Sequence, residues 1–323
     1  MPAYLYLCAT IFIIVMENHQ VYAASIGFFD GVHRGHQFLI ERLKQIADEK
    51  GQDSMVITFA QHPRQVLQSD WMPRLLSTPE EKVARLRQTG IDRLEVLHFD
   101  ADMSKLTARE FMEQVLLKRL NVRTLLMGYD NRFGHKREEG FDDYVRYGQE
   151  LGMEVMRAEA LHNDALPLEG KVSSSLIRRL LENGDVEEAA RCLGRPYVIA
   201  GRVVHGEQIG RGLGFPTANL LPGDKCKLIP GSGVYAVVVK IGDGERMYQG
   251  MTNIGTRPTF EGHRTTIETH LFDFDGDLYD REMTLWLMGR LRDEQHFPDT
   301  ESLVSQMEDD SRRARLYLAN IHY

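Results

Sequence analysis

Cysteine is scarce in this chain: three among 323 residues, at positions 8, 192 and 226, without a C-x-x-C pair. An odd, scattered set excludes a disulfide framework and gives no support to a thiolate zinc site, and it points to a reducing, cytoplasmic setting. A basic excess is missing too. Lys and Arg number 39 against 47 Asp and Glu, a formal charge of −8. That balance argues against a broad nucleic-acid or anionic-membrane surface and leaves room only for a local basic pocket. No apolar run reaches the roughly 20 residues that span a bilayer. The longest candidate, PAYLYLCATIFIIVM at the amino terminus, has no basic flank before it and no small-residue cleavage site after it. Residues 1–15 are therefore expected to be an over-extended reading frame, with Met16 as the working start. A weak signal-like or anchoring segment is the competing reading. If Met1 is the start, the segment is expected to pack as an extra strand or helix. No internal repeat and no low-complexity linker interrupt the remainder.

What is present falls into two halves. From Val21 to about Leu193, short apolar runs (VYAASIGF, SMVITFA, LEVLHF, VRTLLMG, MEVMRA) alternate with runs of helical spacing (FLIERLKQIADEKG, PEEKVARLRQTG, TAREFMEQVLLKRL, FDDYVRYGQELG). Such alternation predicts right-handed crossovers and a mostly parallel sheet. The half closes with SSSLIRRLLENGDVEEAARCLG, in which serines offer a cap, Leu176, Ile177, Leu180 and Leu181 an apolar stripe, and Gly184 a stop. Beyond Arg195 the runs become β-branched and turn-punctuated, with GDGE and DFDGDLYD carrying hairpin chemistry, and a small antiparallel barrel is predicted. A helix follows over about 300–320, with Leu303, Met307, Ala314 and Leu318 inward. The boundary is placed near LGRPY, giving domains 16–193 and 194–323.

In a parallel sheet, ligands bind at the carboxyl ends of strands, and the unusual residues of the first half fall there: GFFDGVHRGH, TFAQHPR and GYDNRFG. Gly31 and Gly35 let backbone approach a ligand, and a helix beginning around His36 would present free N–H groups to phosphate. His33 and His36 can donate hydrogen bonds to a phosphorus centre as charge builds on its oxygens. A lone histidine would read as a surface turn residue; the H-x-G-H spacing between strand and helix favours nucleotidyl transfer.

The second half offers HGEQIGRGLGFPTANL, with glycines at 206, 210, 212 and 214 and no GK[ST] to make a P-loop. Thr217 and Asn219 are hard oxygen donors two positions apart, which suits a hydrated Mg²⁺ carrying phosphate oxygens. An exposed Thr–Asn pair at the start of a strand is the equally ordinary reading. In TTIETHLFDF, Ile267, Thr269 and Leu271 share one face, placing Glu268 on the other with Thr266 and His270. Glu268 is either a solvated strand glutamate or a general base for a substrate hydroxyl.

GFFDGVHRGH, TFAQHPR, GYDNRFG and VSSSLIRRLLENGDVEEAARCLGRPY resemble, in order, the motifs of the nucleotidylyltransferase superfamily in its bacterial FAD synthetase version. GRGLGFPTANL, GVYAVVV, TNIGTRPTF and IETHLFDFDGDLYD resemble the riboflavin kinase module. The chain after Met16 is thus similar throughout to the bifunctional riboflavin kinase/FMN adenylyltransferase family. The resemblance implies a Rossmann-like nucleotidylyltransferase domain followed by a six-stranded barrel with a carboxy-terminal helix. It implies phosphorylation of riboflavin by ATP to FMN, then attack of the FMN phosphate on the α-phosphorus of ATP to give FAD and pyrophosphate. It further implies that His33 and His36 steady the ATP phosphates and that Ser173, Ser174, Ser175 and Arg178 hold pyrophosphate. Gly27, Phe28, Asp30, Gly31, Gly35, Asp130 and Asn131 would contact nucleotide. In the kinase module Gly206, Gly210, Gly212 and Gly214 would fold over nucleotide, and Thr217 and Asn219 would ligate magnesium and ATP. Glu268 would be the base, and Asn253, Arg257 and Arg292 flavin or nucleotide contacts. Three departures stand out: Phe28 where asparagine is frequent, Asn131 where phenylalanine is frequent, and REEG at 137–140, longer than the usual R-x-G.

The expected partners are riboflavin, FMN and ATP, with no nucleic acid, membrane or obligatory protein partner. Two other readings differ in class. One keeps the kinase and makes the first half a nucleotide- or flavin-binding regulatory module; the other is a non-enzymatic flavin-binding protein, for which no separate interaction domain is visible. H-x-G-H also occurs in aminoacyl-tRNA synthetases, which the acidic balance disfavours, and in other cofactor adenylyltransferases, which the attached barrel disfavours.

Overall fold

A computed structural model describes residues 20–62, 65, 74–129, 131–135, 139–159, 172–206, 209–259 and 262–321. The amino-terminal extension, Asp130, part of REEG and the end of TFAQHPR lie outside them. The chain packs as two compact units. One comprises Met1–Phe29, Gly35–Trp71 and Val83–Leu161, the other Asp30–Arg34, Met72–Lys82 and His162–Tyr323.

Among the described residues, the first unit is built on a parallel sheet of β1 (Tyr22–Ile26), β2 (Asp53–Phe59), β3 (Arg93–Leu97), β4 (Val122–Met127) and β5 (Glu154–Arg157), in the order β3-β2-β1-β4-β5. This is the Rossmann-like arrangement expected. Its order reverses between β1 and β4, and ligands bind in such sheets at that crevice. All five residues of β1 are buried, because helices cover both faces of a parallel sheet. The helix α1 (Arg34–Lys50) buries Leu39, Ile40, Leu43, Ile46 and Ala47, a helical stripe. It starts at Arg34, two residues before the expected His36, so Gly35 lies within its first turn. α2 (Pro79–Gln88) follows β2. α3 (Ala108–Phe111) opens on a reciprocal cap between Thr107 and Glu110 and continues as a π-helix over Met112–Arg119, where Leu120 N–H reaches back five residues to Val115 O. α4 (Phe141–Leu151) stops at Gly152 in the left-handed region.

The second unit holds α5 (Ser174–Glu182), α6 (Val186–Leu193) and a closed barrel of β6 (Tyr197–Val204), β7 (Ala218–Pro222), β8 (Gly233–Ile241), β9 (Met247–Thr259), β10 (Gly262–Leu271) and β11 (Glu282–Arg292). The order around the barrel is β10-β7-β6-β11-β8-β9, and every pairing is antiparallel. Its interior (Tyr197, Ile199, Tyr235, Val237, Ile267 and Leu285 among others) is continuous with Ile177, Leu181, Val186 and Ala189 of α5 and α6. These two helices therefore share a core with the barrel, although the sequence boundary at 193/194 puts them in the other half. The helix α7 (Thr300–Ala319) lays Ala314 and Leu318 on Val234, Ala236 and Val238. β8 is thus covered on both faces, which accounts for its unbroken apolar run.

GDGE joins the paired strands β8 and β9, as a hairpin should. DFDGDLYD does not make the second hairpin expected. β10 pairs with β7 and β9, whereas β11 pairs with β6 and β8, so this segment links strands that are not neighbours. Its turn chemistry is real, with Asp273 and Asp280 at φ 54 and 60, but barrel closure decides where the chain goes.

Gly184, between α5 and α6, has φ +83, and a Cβ there would meet Arg290 Cζ and Tyr235 Oη at 2.8 Å. Gly184→Ala is expected to destabilise the second unit by about 2 kcal/mol or more. Chemical denaturation checks this; an unchanged midpoint would show that neither the backbone nor Arg290 constrains the site.

Candidate functional site

On the outer face of the barrel, beneath the first half of α7, lies a cavity of about 570 Å³. Thr217, Asn253, Glu268, His270, Arg292, Glu294, Leu303, Met307 and Asp310 line it. Strand register explains the convergence. Along β10, Ile267, Thr269 and Leu271 are buried, which turns Glu268 outward. Glu268 stands opposite Asn219 of β7 on one side and Asn253 of β9 on the other. One carboxylate thus sits between two amide side chains on a single face, and Thr217 immediately precedes β7.

Two of the four loop glycines have a steric reason. A Cβ on Gly206 would run into the Asn219 amide, and one on Gly210 into the Phe215 carbonyl. Gly214 takes φ +83, whereas Gly212 faces open space. His270 Nδ1 lies 2.9 Å from Pro216 O, tying β10 to the residue before Thr217.

Arg292 is fixed in place. Its Nε reaches both Asp310 oxygens at 3.0 and 2.9 Å, its Nη2 reaches Oδ2 at 2.7 Å, and its Nη1 donates to Asp293 O at 2.8 Å. The side chains of Arg292 and Asp310 are 13% and 2% exposed, and Gln306 Nε2 donates to Asp310 Oδ1. Asp310 was not among the residues singled out from sequence. The signal was there: it occupies an inner position of α7 between Met307 and Ala314, where a carboxylate is out of place. Backbone at Arg257 pairs with β10, but its side chain lies outside the described residues.

In the first unit, the chain leaves β1 through Gly27, Phe28 and Phe29. The Phe28 ring meets His62 edge-on at 4.7 Å, and its carbonyl accepts from Thr58 Oγ1 at 3.1 Å. Phe29, with φ 55, sets its ring edge-on to His36 at 5.1 Å. Asn131 Nδ2 donates to Ile26 O, bridging the carboxyl ends of β4 and β1 at the crevice. Both departures from the family pattern therefore have local partners.

In the second unit, the turn Asp30–Val32 is held from several directions. Asp30, 3% exposed, accepts from Leu76 N at 3.0 Å and Ser77 N at 3.1 Å. Arg178 Nη2 donates to the same carboxylate at 2.6 Å, while Arg178 Nε donates to Arg74 O. Ser174 Oγ donates to Asp30 O at 3.1 Å, and Gly31 N to Ser77 Oγ at 3.0 Å. Gly31 has φ +77, and a Cβ on it would meet Leu76 at 2.9 Å. Ser173 caps α5, accepting from Leu176 N, and Ser175 is exposed. The Arg178 predicted to hold pyrophosphate is thus anchored on Asp30. Ser77 and Leu76, which do the anchoring, were not legible in advance. Lys82, 2% exposed near Asp30, is pulled down to about 8 by burial against the attraction of that carboxylate.

His33 is 5% exposed. Burial first, then the charges of Arg195 and Arg178, push its pKa down to about 4. The imidazole is neutral at physiological pH, with one nitrogen donating and the other accepting. Between pH 6.5 and 4 the unfolded chain takes up a proton that the folded chain refuses, so folding stability falls as pH falls through that window. His33→Gln is expected to remove this part of the acid sensitivity, up to about 3 kcal/mol. Denaturation midpoints measured at pH 7 and pH 4.5 for both proteins check the sign.

Two family models match the chain: one described as FAD synthetase over residues 15–176, the other as riboflavin kinase over residues 193–318. A bifunctional riboflavin kinase/FMN adenylyltransferase of Pseudomonas fluorescens is 39% identical over 303 residues, 94% of this chain and 94% of its own length. The protein so named from Bacillus subtilis is 36% identical over 319 residues, 95% and 96% of the two chains. Among solved structures, a Streptococcus pneumoniae protein described as a macrolide-efflux protein matches with a TM-score of 0.81 at 31% identity, over 92% of this chain and 95% of that one. Among the described residues here, no helix is long and apolar enough to cross a membrane.

Proposed function

The chain belongs to the bifunctional riboflavin kinase/FMN adenylyltransferase family, and we propose on that premise how its residues divide the two reactions. It is an enzyme with riboflavin kinase and FMN adenylyltransferase activities, and the presence of both family models favours two activities over a kinase with a regulatory appendage. We assign adenylyl transfer to residues 16–193 and phosphoryl transfer to residues 194–323, in a cytoplasmic protein whose partners are riboflavin, FMN and ATP.

The observation that carries the kinase assignment is Glu268 set between Asn219 and Asn253 across three strands, with Glu268, Asn253, Thr217 and Arg292 lining one cavity. Glu268 accepts the proton of the riboflavin 5′-hydroxyl as its oxygen attacks the γ-phosphorus of ATP. Asn253 and Arg292 orient flavin or nucleotide beside it. The donor set also fits magnesium. Thr217 offers a hydroxyl and Asn219 an amide carbonyl, both hard oxygens. Among the described residues no group of three or more His, Cys, Asp or Glu could hold a metal ion. Such a set suits an ion that arrives already bound to ATP phosphates. When bound, Mg²⁺ neutralises phosphate charge; Thr217 and Asn219 would hold it, and the glycine loop at 206–214 would lie along the nucleotide.

For adenylyl transfer, His33 and His36 donate to the ATP phosphates while FMN phosphate attacks the α-phosphorus. Arg178, set by Asp30 at the start of α5, offers its charge to the departing pyrophosphate. Ser174 acts through the Asp30 carbonyl, and Ser173 as a cap. The glycines at 27, 31 and 35 keep backbone close to the nucleotide.

Incubation with riboflavin, ATP and Mg²⁺, followed by chromatography, is expected to yield FMN and then FAD. Glu268→Gln is expected to lower riboflavin phosphorylation by about 10²- to 10⁴-fold while FAD still forms from supplied FMN. Unimpaired phosphorylation would remove Glu268 as the base. Chelation of divalent ions is expected to abolish FMN formation, with Mg²⁺ restoring it; Thr217→Ala should raise the Mg²⁺ concentration needed, which a metal titration of the kinase rate measures.

A further inference from the structure

We propose that Arg195 is a positioning residue for adenylyl transfer: a side chain from the kinase half of the sequence holds the turn that presents His33. The proposal rests on the reading that His33 contacts ATP phosphate. It starts from backbone strain. Gly31 and Val32 both have positive φ, +77 and +42, and Phe29 before them has φ 55. A β-branched residue in the left-handed region is a genuine outlier, and such conformations persist only where the surroundings over-determine them.

The turn is held through the Asp30 carboxylate, by Ser77 on the Gly31 amide and by Ser174 on the Asp30 carbonyl, as described. The Gly31 and Val32 carbonyls are held by Arg195, from the three-residue link between α6 and β6. Arg195 Nη2 donates to Gly31 O and Nη1 to Val32 O at 3.4 Å, with Nη1 also donating to Leu193 O at 3.0 Å. Gly31 and Val32 are buried, so these carbonyls are poorly served by water and need a protein donor. A planar guanidinium reaches carbonyls of successive residues with two nitrogens at once; an ammonium, a point charge on a flexible stem, does not. The same cation stands near enough to His33 to help keep it neutral. Arg195 follows Gly194, whose φ of +77 ends α6 and aims the link back toward the turn. Arg195 does not line the kinase cavity.

The test compares Arg195→Ala, Arg195→Lys and His33→Gln in the full chain, with riboflavin phosphorylation as the internal control. Arg195→Ala is expected to lower kcat for FAD formation from FMN by about tenfold to a hundredfold and leave KM for FMN and the kinase rate within about twofold. Arg195→Lys is expected to keep the fold and recover only part of that loss, and it carries the test if the alanine variant does not fold. FAD formation at the parental rate in both Arg195 variants overturns the proposal, as does a parallel loss of both activities in both. If His33→Gln keeps full FAD formation, the assignment of His33 itself fails; if it loses FAD formation while the Arg195 variants do not, only the role of Arg195 falls.

Discussion

The carboxylate of Asp30 is the interaction on which Arg178 and the Asp30–Val32 turn of the second unit depend. It is nearly inaccessible to water, and two backbone N–H groups and a guanidinium are arranged around it. A buried acid is tolerated only with such partners. Breaking a buried pair of this kind costs about 3–5 kcal/mol, because the remaining charge is stranded. Its removal would free Arg178, the Leu76 and Ser77 amides and, through them, the turn leading to His33. That concentration of constraints explains how a turn with a left-handed valine can be stable. The strain is local, and the hydrogen bonds that oppose it come from sequence positions 46 to 164 residues away.

The residues we assign to phosphoryl transfer are organised by a different rule. A closed barrel fills its interior with apolar side chains, so every strand must present its alternate residues outward. Glu268, Asn219 and Asn253 face outward for that reason, and the register of three strands sets them in a row without further support. The carboxy-terminal helix then roofs the outer face. Where its stripe meets the barrel at Asp310, it meets Arg292, and two buried charges pair instead of two apolar groups. A buried pair is weak evidence for stability, since hydrophobic residues would pack there at less desolvation cost. Its location in the cavity wall makes geometry the better explanation: Asp310 fixes the guanidinium in one orientation at the cavity, with Gln306 bonded to the same carboxylate.

Much of this was legible in the sequence. Strand and helix alternation gave the parallel sheet, and β-branched runs with turns gave the barrel. Residue alternation in TTIETHLFDF put Glu268 on the outer face. The unread parts share a physical cause. DFDGDLYD announces that the chain reverses but not which strand it returns to, because pairing is settled by closure of the whole barrel. Ser77, Leu76 and Arg195 are ordinary residues in composition, and their importance comes from Asp30 and Gly31, far away in sequence. Asp310 is the exception that could have been caught, a charge in the middle of an otherwise apolar stripe. The two family departures, Phe28 and Asn131, became intelligible only with coordinates. Asn131 uses its amide to bridge the ends of β1 and β4, and the Phe28 ring packs against His62.

A chain that makes FMN and then consumes it faces a design problem that its topology bears upon. Of the residues assigned to phosphoryl transfer, Thr217, Asn253, Glu268 and Arg292 line one cavity within the second unit. The residues assigned to adenylyl transfer are not so contained. His33 sits on a turn whose hydrogen bonds run to α5, to the 76–77 segment and to Arg195, all packed with the barrel, whereas His36 and Asn131 belong with the sheet. The 30–34 turn is sequence from one half embedded in the packing of the other. Side chains of the second unit, Asp30, Ser77, Ser174 and Arg195, hold its left-handed valine in place.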